Sequence, residues 1–363
     1  RKTSMSTAVY LHGRGLVCGI GADLNQAVSA IRERRIEATP IRLPDDSTRP
    51  YFQIPNPTAA NWRCRIEQTI DQAIHEAGVA HLIDSPLIIA SSCLNIGEII
   101  ETGEFPAGYI SFAEHIQSHL GWRGTVQLIP VACTAAMQAI LLAKNIIEHG
   151  MYNDVVILGI ELANNVTTGG FASMQLLSHS HSQPLGAQRD GMVLGEAVGA
   201  IHLSTKPTRW QIIGAANIVS GADPTGAAPA AVHEVVQRAL RHSSLSAKQI
   251  DLIKLQATGS PQGDINELDG LAQTFSPMPP LTTFKHLVGH TLGASGMVEL
   301  ILLTACLEQG VTPYYDYDCD EGLPHRLHHE LPKANHILSI ILGFGGEHAA
   351  IVVKDCHEAA NDV

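Results

Sequence analysis

The sequence predicts an α/β fold built around a mostly parallel, buried sheet. Four short runs rich in Val, Ile and Leu are typical of strands that are covered on both faces. Helical patterns lie between these runs, and strands that alternate with helices favour parallel pairing. A change of composition at residues 204–209 predicts two halves, residues 5–205 and residues 206–363. The predicted strands occupy residues 125–131, 154–160, 251–255 and 336–342.

Two of the intervening helices are well marked in the sequence. Residues 134–148 are periodic and stop near Gly150, and glycine at this place is a helix-ending signal. Residues 294–308 are apolar on nearly every side and end at Gly310. A helix that is apolar all round is expected to lie inside the core of a large fold.

The overall composition narrows the class of protein. The 363-residue chain is 45% hydrophobic and 16% charged, which is typical of a globular protein with a large core. Its net charge of −12 argues against a general nucleic-acid-binding surface. No run reaches the roughly 18 apolar residues that predict a membrane span.

Seven cysteines are scattered along the chain without a Cys-x-x-Cys pair. This pattern argues against a disulfide framework or a structural zinc site, and it favours a reducing, cytoplasmic setting. A histidine group at His325, His328 and His329 has no acidic or cysteine pattern beside it, so we predict no metal there.

Cys133 is the first candidate for chemistry, because it lies between the end of a predicted strand and the start of a predicted helix. Unpaired N–H groups and the dipole at a helix N-terminus favour a thiolate, which is the nucleophilic form of cysteine. The alternative is a buried, inert cysteine, which is the common state of a free cysteine.

Three further segments carry polar or glycine-rich patterns. Lys285 and His290 lie five residues apart in a loop, where the lysine can keep the imidazole neutral and oriented, and the histidine can then donate a hydrogen bond to a developing oxyanion. Residues 256–264 form a polar loop after a strand, and residues 343–346 (GFGG) form a turn that can aim an N–H group into a cavity. Each segment alone is also compatible with an ordinary loop.

The order of these segments resembles the β-ketoacyl-(acyl carrier protein) synthase family of the thiolase superfamily along nearly the whole chain. The most specific pieces are GHTLGASG at residues 289–296 and RDGMVLGE at residues 189–196. Asp264 and Glu267 match the family's G-D-x-x-E pattern. The resemblance implies the thiolase fold, with two similar βαβαβαββ halves that form a five-layered αβαβα core, and a dimer.

The resemblance also implies a role for each matched residue. Cys133 falls on the nucleophile that accepts an acyl group, and His290 falls on an active-site histidine. The backbone N–H groups of Cys133 and Phe344 fall on the oxyanion hole, and Phe344 also falls on the gating phenylalanine. Lys285 and Glu299 fall on supporting charged positions.

Two departures from the family pattern bear on catalysis. Gln256 stands where the family has its first active-site histidine; an amide can donate a hydrogen bond but cannot exchange a proton near neutral pH. Glu347 and His348 follow GFGG, where the family usually has Thr-Asn. Both departures resemble chain-length factors, the partner subunits in ketosynthase heterodimers such as those of aryl polyene biosynthesis. This chain differs from them because its cysteine is intact, so it resembles an intermediate case: Cys133 favours a competent synthase, while Gln256 and Glu347 favour a partner subunit.

Two hypotheses therefore stay open: a synthase subunit that condenses an acyl thioester with malonyl carrier protein, and a partner subunit with little condensation activity alone. A degradative thiolase with Cys356 as its second cysteine fits the motifs less well. The expected partners are acyl carrier protein and a second ketosynthase subunit or another copy of the chain. Substrates ride on the carrier's phosphopantetheine, so no separate cofactor is expected. Arg63 and Arg65 lie where family members place carrier-docking residues.

Overall fold

The computed structural model describes residues 7–55, 61–104, 110–221 and 226–357. The strands are β1 Tyr10–Cys18, β2 Thr39–Arg42, β3 Thr48–Phe52, β4 Leu87–Ala90, β5 Val126–Ile129, β6 Asp154–Glu161, β7 Leu194–Gly195, β8 Ala197–Ser204, β9 Trp210–Val219, β10 Leu252–Lys254, β11 Leu281–Thr282, β12 His336–Leu342 and β13 Glu347–Asp355. The helices are α1 Leu24–Arg32, α2 Trp62–Glu76, α3 Ile96–Thr102, α4 Ile110–Leu120, α5 Ala135–Glu148, α6 Asn165–Ser173, α7 Pro229–Ser243, α8 Pro261–Ala272, α9 Lys285–Val288 and α10 Ser295–Gln309. Short 3-10 turns occupy Ala247–Gln249, Leu292–Ala294 and Phe344–Gly346.

The main sheet consists of two five-stranded halves with the same design. One half has the order β5-β4-β6-β8-β1 and the other has the order β11-β10-β12-β13-β9. In each half the first two pairings are parallel and the last two are antiparallel. The halves meet where β1 pairs with β9 over two residues, Tyr10 and Leu11. The expectation of a mostly parallel sheet is therefore wrong. Strand β8 pairs antiparallel with both of its neighbours, β6 and β1, and β13 pairs antiparallel with both of its neighbours, β12 and β9.

Two central helices lie between the half-sheets and make the middle of five layers. Helices α5 and α10 contact each other and strands of both halves. Helix α2 covers the outer face of the first half, and α7 with α8 covers the outer face of the second. Three hydrophobic clusters fill the spaces between these layers. The αβαβα arrangement predicted from the family resemblance is confirmed.

The marked sequence elements form close to their predicted bounds. The four predicted strands are β5, β6, β10 and β12, and the two predicted helices are α5 and α10. Helix α10 is buried nearly throughout, as its apolar pattern predicts. Leu292–Gln309 is long and apolar enough to cross a membrane, but 83% of it is buried inside the fold, which makes it a core helix. The domain division between residues 205 and 206 stays a prediction.

Candidate active site

Cys133 lies next to Thr134, the N-cap residue of α5, and is 5% exposed. Burial raises the pKa of its thiol to about 11, while a hydrogen bond from the backbone N–H of Phe344 and the charge of Lys285 act in the opposite direction. The sequence-based expectation that the helix N-terminus favours thiolate is therefore corrected. Desolvation outweighs the local dipole, and the resting side chain is a thiol.

The imidazole of His290 faces this thiol. Its Nε2 lies 3.2 Å from the Cys133 Sγ, and its Nδ1 lies 3.2 Å from the Ser295 hydroxyl. Burial holds the pKa of His290 well below its usual range, and the charge of Lys285 adds to this effect. The ring is therefore neutral at physiological pH, and one nitrogen carries a proton while the other carries a lone pair.

Lys285 and Glu299 lie behind His290, where they form a buried ion pair. The Lys285 Nζ also donates to the Ser295 Oγ at 2.7 Å, and Ser295 donates to the Glu299 Oε1 at 2.8 Å. Lys285 and Glu299 are each 1% exposed or less. Lys285 and Glu299, the two supporting positions implied by the resemblance, are thus linked to the His290 imidazole through the Ser295 hydroxyl.

The GFGG turn brings a backbone N–H to the thiol. Gly345 and Gly346 have φ values of 81° and 74°, a region that favours glycine. A Cβ on Gly346 would come within 1.7 Å of the Ser220 carbonyl oxygen. The Phe344 ring stacks on Phe171 with a centroid separation of 5.5 Å. These constraints hold the Phe344 N–H beside the Cys133 thiol, and its role as an oxyanion donor stays a prediction.

Gln256 follows β10 and lines the same cavity as Cys133. Its Oε1 is buried and has no hydrogen-bond partner among the residues that the structure describes. Two buried carboxylates hold the loop: Glu267 accepts the N–H groups of Gln256 and Ala257, and Asp264 accepts that of Thr258. Burial raises the pKa of Glu267 to about 7 and that of Asp264 to about 6. The loop that carries the Gln256 amide is thus held by two buried carboxylates.

A cavity of about 70 Å³ unites the predicted reactive groups. Cys133, Gln256, His290 and Phe344 all line it, together with Phe171. The walls also include Met192, Gly226, Ala227, Ala257, Thr258, Ser260, Gly263, Asp264, Glu267, Leu342 and Gly343.

Glu347 lies behind the GFGG turn, at the start of α5. Its Oε2 accepts a hydrogen bond from the Thr134 hydroxyl at 3.0 Å, and its carbonyl accepts from the N–H of Gly343 at 2.7 Å. A carboxylate near a helix N-terminus interacts favourably with the dipole. The departure from the family's Thr-Asn therefore places an acidic group beside the helix that carries the nucleophile.

The two arginines proposed for carrier docking have different surroundings. The Arg65 side chain is 16% exposed and forms an ion pair with Glu196, which is fully buried. The Arg63 side chain is 53% exposed and pairs with Glu98. Arg65 therefore has a structural partner, and Arg63 has the larger accessible surface. The docking role of both residues stays a prediction.

The histidine group near the C-terminus has separate contacts. The ring of His329 stacks on Tyr315, and the Nδ1 of His328 lies 3.4 Å from the N–H of Leu281. Within the described ranges, no set of three or more His, Cys, Asp or Glu side chains could hold a metal ion.

Lys254 and Ser295 belong to the site but were not singled out from the sequence. Lys254 is fully buried and its Nζ lies 2.9 Å from the Glu299 Oε2. A lysine inside the apolar strand DLIKL was the available signal, because an isolated buried ammonium requires a partner. Ser295 is one hydroxyl in a small-residue helix start, and only the fold shows that it joins His290 to Glu299.

Two adjoining stretches of the chain match models of a known family. Residues 102–208 match the beta-ketoacyl synthase N-terminal domain, and residues 212–315 match the beta-ketoacyl synthase C-terminal domain. The chain belongs to the beta-ketoacyl synthase family. The family predicted from the sequence motifs is confirmed.

Several proteins resemble this beta-ketoacyl synthase family member in sequence. The putative mitochondrial 3-oxoacyl-(acyl-carrier-protein) synthase of Schizosaccharomyces pombe is 27% identical over 327 residues, which cover 78% of this chain and 72% of the relative. The chloroplastic 3-oxoacyl-(acyl-carrier-protein) synthase II of Arabidopsis thaliana is 30% identical over 264 residues, which cover 64% of this chain and 48% of the relative. The matches therefore span roughly half to three quarters of these relatives.

Solved structures of the same fold cover nearly the whole chain. The structure of a ketosynthase (ApeO) in complex with its chain length factor (ApeC) from Xenorhabdus doucetiae matches with a TM-score of 0.82 and 19% identity, covering 96% of this chain and 98% of that one. The ishigamide ketosynthase/chain length factor matches with a TM-score of 0.84 and 17% identity, covering 96% and 99%. These likenesses confirm the thiolase-type fold.

Proposed function

We propose that this protein takes part in the decarboxylative condensation of an acyl thioester with malonyl carrier protein, in fatty acid, polyene or polyketide biosynthesis. The observation that carries the proposal is the grouping of the Cys133 thiol, the His290 imidazole and the Phe344 N–H at one cavity. A thiol, a neutral base and an oxyanion donor are the three groups that acyl transfer requires. The seven free cysteines agree with a reducing, cytoplasmic setting.

The first half-reaction is transfer of the acyl group to Cys133. The thiol proton passes to the His290 Nε2 as the sulfur attacks the carbonyl carbon of the incoming thioester. The carrier's phosphopantetheine thiolate leaves and takes that proton back, so the enzyme ends with a neutral imidazole. The N–H groups of Cys133 and Phe344 stabilise the oxyanion of the tetrahedral intermediate. This step uses only groups that line the cavity.

The second half-reaction begins with loss of carbon dioxide from malonyl carrier protein, and this step depends more on Gln256. The resulting enolate carbon then attacks the carbonyl carbon of acyl-Cys133, and the Cys133 thiolate leaves and regains a proton. The enolate oxygen that forms needs hydrogen-bond donors, and the Gln256 amide can supply one through its N–H₂ group. An amide cannot take up or release a proton near neutral pH. We therefore expect decarboxylation to be slower than in relatives that have a histidine at this position, while acyl transfer is less affected.

A second candidate function is that of a chain-length-factor-like partner, which shapes the acyl tunnel of a ketosynthase pair. Gln256 in place of the histidine favours this function, and so does the small cavity of about 70 Å³, which is too small for a long acyl chain in this conformation. Two of the similar folds are those of a ketosynthase paired with its chain length factor. A chain that binds an acyl group at Cys133 but condenses poorly alone combines both functions.

The proposed partners are acyl carrier protein and a second ketosynthase-type subunit, either different or identical. Strand β5 lies at one end of the sheet order, so its outer backbone groups are available for pairing with another subunit. For the carrier we propose Arg63 as the more accessible docking residue, with Arg65 contributing less because it holds Glu196. The phosphopantetheine arm of the carrier brings the substrate, and no separate cofactor is proposed.

Intact-mass spectrometry tests these alternatives directly. The purified chain is incubated with acyl carrier protein carrying an acyl group, and separately with malonyl carrier protein while carbon dioxide is measured. An acyl adduct with carbon dioxide release supports a complete synthase. An adduct without carbon dioxide release supports a partner-dependent subunit. Absence of any adduct contradicts the proposed role of Cys133.

A further inference from the structure

Lys254 is the innermost member of a hydrogen-bonded chain that ends at the nucleophile. It is the last residue of β10 and is fully buried. Its Nζ lies 2.9 Å from the Glu299 Oε2 and 2.9 Å from the Ile340 carbonyl oxygen. Gln256, two residues further along, lines the cavity, so Lys254 lies behind the wall that contacts substrate.

The second oxygen of Glu299 determines where the Ser295 proton points. Glu299 Oε1 accepts from the Lys285 ammonium and from the Ser295 hydroxyl. Because the hydroxyl proton is used in that bond, the Ser295 oxygen can only accept hydrogen bonds. It accepts one from the Lys285 Nζ at 2.7 Å, and the remaining neighbour is the His290 Nδ1 at 3.2 Å.

This arrangement selects one tautomer of His290. A neutral imidazole has one N–H and one lone pair. Because the Ser295 oxygen accepts, the proton must lie on Nδ1, and Nε2 then presents its lone pair to the Cys133 Sγ at 3.2 Å. That tautomer is the one that can take the thiol proton during acyl transfer. The opposite tautomer would aim an N–H at a thiol and would leave no base in place.

We propose that Lys254 is a positioning residue that fixes the His290 tautomer by holding Glu299 as an oriented carboxylate. The inference rests on the proposed function, since it concerns the base for acyl transfer to Cys133. Without Lys254, one Glu299 oxygen would be buried without a partner. A buried carboxylate in that state rotates or binds a proton, because an unpaired charged oxygen is strongly unfavourable in the interior. Either response releases the Ser295 hydroxyl, which can then donate to Nδ1 and move the imidazole proton to Nε2.

The charged groups around Lys254 support this role. Glu299 on α10 faces it directly, and Lys285 on α9 shares that carboxylate from the other side. The charge of Glu267 on α8 acts on Lys254 as well, while burial lowers the pKa of the Lys254 ammonium to about 7. The Ile340 carbonyl of β12 completes its bonds. The orientation of the Glu299 carboxylate therefore depends on the Lys254 ammonium.

Nitrogen NMR of histidine-labelled, full-length protein tests the proposal, because ¹⁵N shifts and couplings distinguish the two tautomers. The spectra compare the unaltered protein with Lys254→Met and with Lys144→Met, which removes another buried lysine paired with Glu148 on α5. His202 provides an internal standard, since its Nε2 bonds to Asp154 in the first half of the molecule. His290→Gln assigns the signal.

The expected result is an Nδ1–H signature for His290 in the unaltered protein and in Lys144→Met, and a dominant Nε2–H signature in Lys254→Met, with His202 unchanged. Ser295→Ala removes the oxygen that accepts from Nδ1, so it should also weaken the Nδ1–H signature. If Lys254→Met does not fold, Lys254→Gln takes its place: its amide is too short to reach Glu299 and Ile340 together, and Nε2–H should become detectable.

An unchanged Nδ1–H signature in the folded Lys254 variant would overturn the proposal, as would an Nε2–H signature in the unaltered protein. Neither reading uses carrier protein or measures condensation. A chain that fails the acyl-adduct test could therefore still pass this one, and the two failures are distinguishable.

Discussion

The two halves of the sheet have the same strand order but contribute differently to the site. The first half supplies a thiol at the start of α5 and surrounds that helix mainly with apolar side chains. The second half supplies the base and, in the network described above, the charged side chains behind it: His290, Lys285, Glu299 and Lys254. The two halves thus share one strand order, but the nucleophile comes from the first half and the groups that control the thiol proton come from the second.

The difference has an energetic reason. A buried lysine or glutamate loses hydration that only good pairing recovers, so these groups are stable only as a connected set. The set behind His290 stays connected through α9 and α10. The first half supplies the helix start that carries the nucleophile, and the second half adds the Phe344 N–H and the neutral His290 beside the thiol.

The largest predicted effect tests the contribution of the first half. Cys133→Ala should abolish the acyl adduct seen by intact-mass spectrometry, because no other nucleophile is expected at that position. Cys64→Ala, which removes a half-buried cysteine of α2, should leave the adduct in place. An adduct that persists in Cys133→Ala would show that another residue accepts the acyl group.

The next prediction concerns the charged set of the second half. Glu299→Ala leaves two buried lysines without their carboxylate, and the free energy of unfolding should fall by about 3–5 kcal/mol. Denaturant titration followed by circular dichroism measures it. Arg123→Ala, which breaks an exposed pair with Asp84 in the first half, should cause no measurable change. Equal losses in both variants would contradict the asymmetry.

Restoring the family histidine tests whether the second half limits decarboxylation. Gln256→His should raise the rate of carbon dioxide release from malonyl carrier protein by about a hundredfold, since one effective oxyanion donor is worth that much. Gln262→His adds a histidine on an exposed position of α8 nearby and should have no effect. An unchanged rate in Gln256→His would assign the limitation to another departure, such as Glu347.

The pH dependence of Cys133 alkylation tests how strongly Lys285 of the second half changes the pKa of the Cys133 thiol in the first half. Because burial raises the pKa of the thiol to about 11, the rate with iodoacetamide should rise about tenfold per pH unit from pH 7 to pH 10. Lys285→Met removes a cation that lowers this pKa, so the pKa should rise and the rate at fixed pH should fall. Peptide mapping measures the modification, and a midpoint near pH 8.5 would contradict the buried, thiol-bearing site.

The smallest predicted effect lies on the surface of the first half. Arg63→Ala should raise the Kd for acyl carrier protein about fivefold or less, as expected for one exposed charge. Arg65→Ala should instead lower stability, because it leaves Glu196 buried without its partner. Calorimetric titration and thermal unfolding separate the two outcomes. If Arg65→Ala greatly weakened binding of acyl carrier protein at unchanged stability, Arg65 and not Arg63 would be the main docking residue.

Much of the candidate site could be predicted because its residues lie in short, specific motifs. Cys133, His290, Lys285 and Phe344 belong to three contiguous segments, since Lys285 and His290 share one, and the fold brings the three segments together. Lys254 could not be predicted in its role, because its partner Glu299 lies 45 residues away. The state of Cys133 was also predicted wrongly, because the sequence shows the helix start but not the depth of burial.

The family, the α/β class, the order of the reactive segments and the replacement at Gln256 follow from the amino-acid sequence, since each is a local property of the chain. The folded molecule was needed to show that the sheet is mixed and that Arg65 pairs with Glu196. It was also needed to show that Lys254, Glu299 and Ser295 form one hydrogen-bonded chain behind His290. These facts depend on which buried groups come within hydrogen-bond distance after packing. Burial also sets the protonation of the site, because desolvation acts through all the surrounding atoms and not through neighbours in sequence.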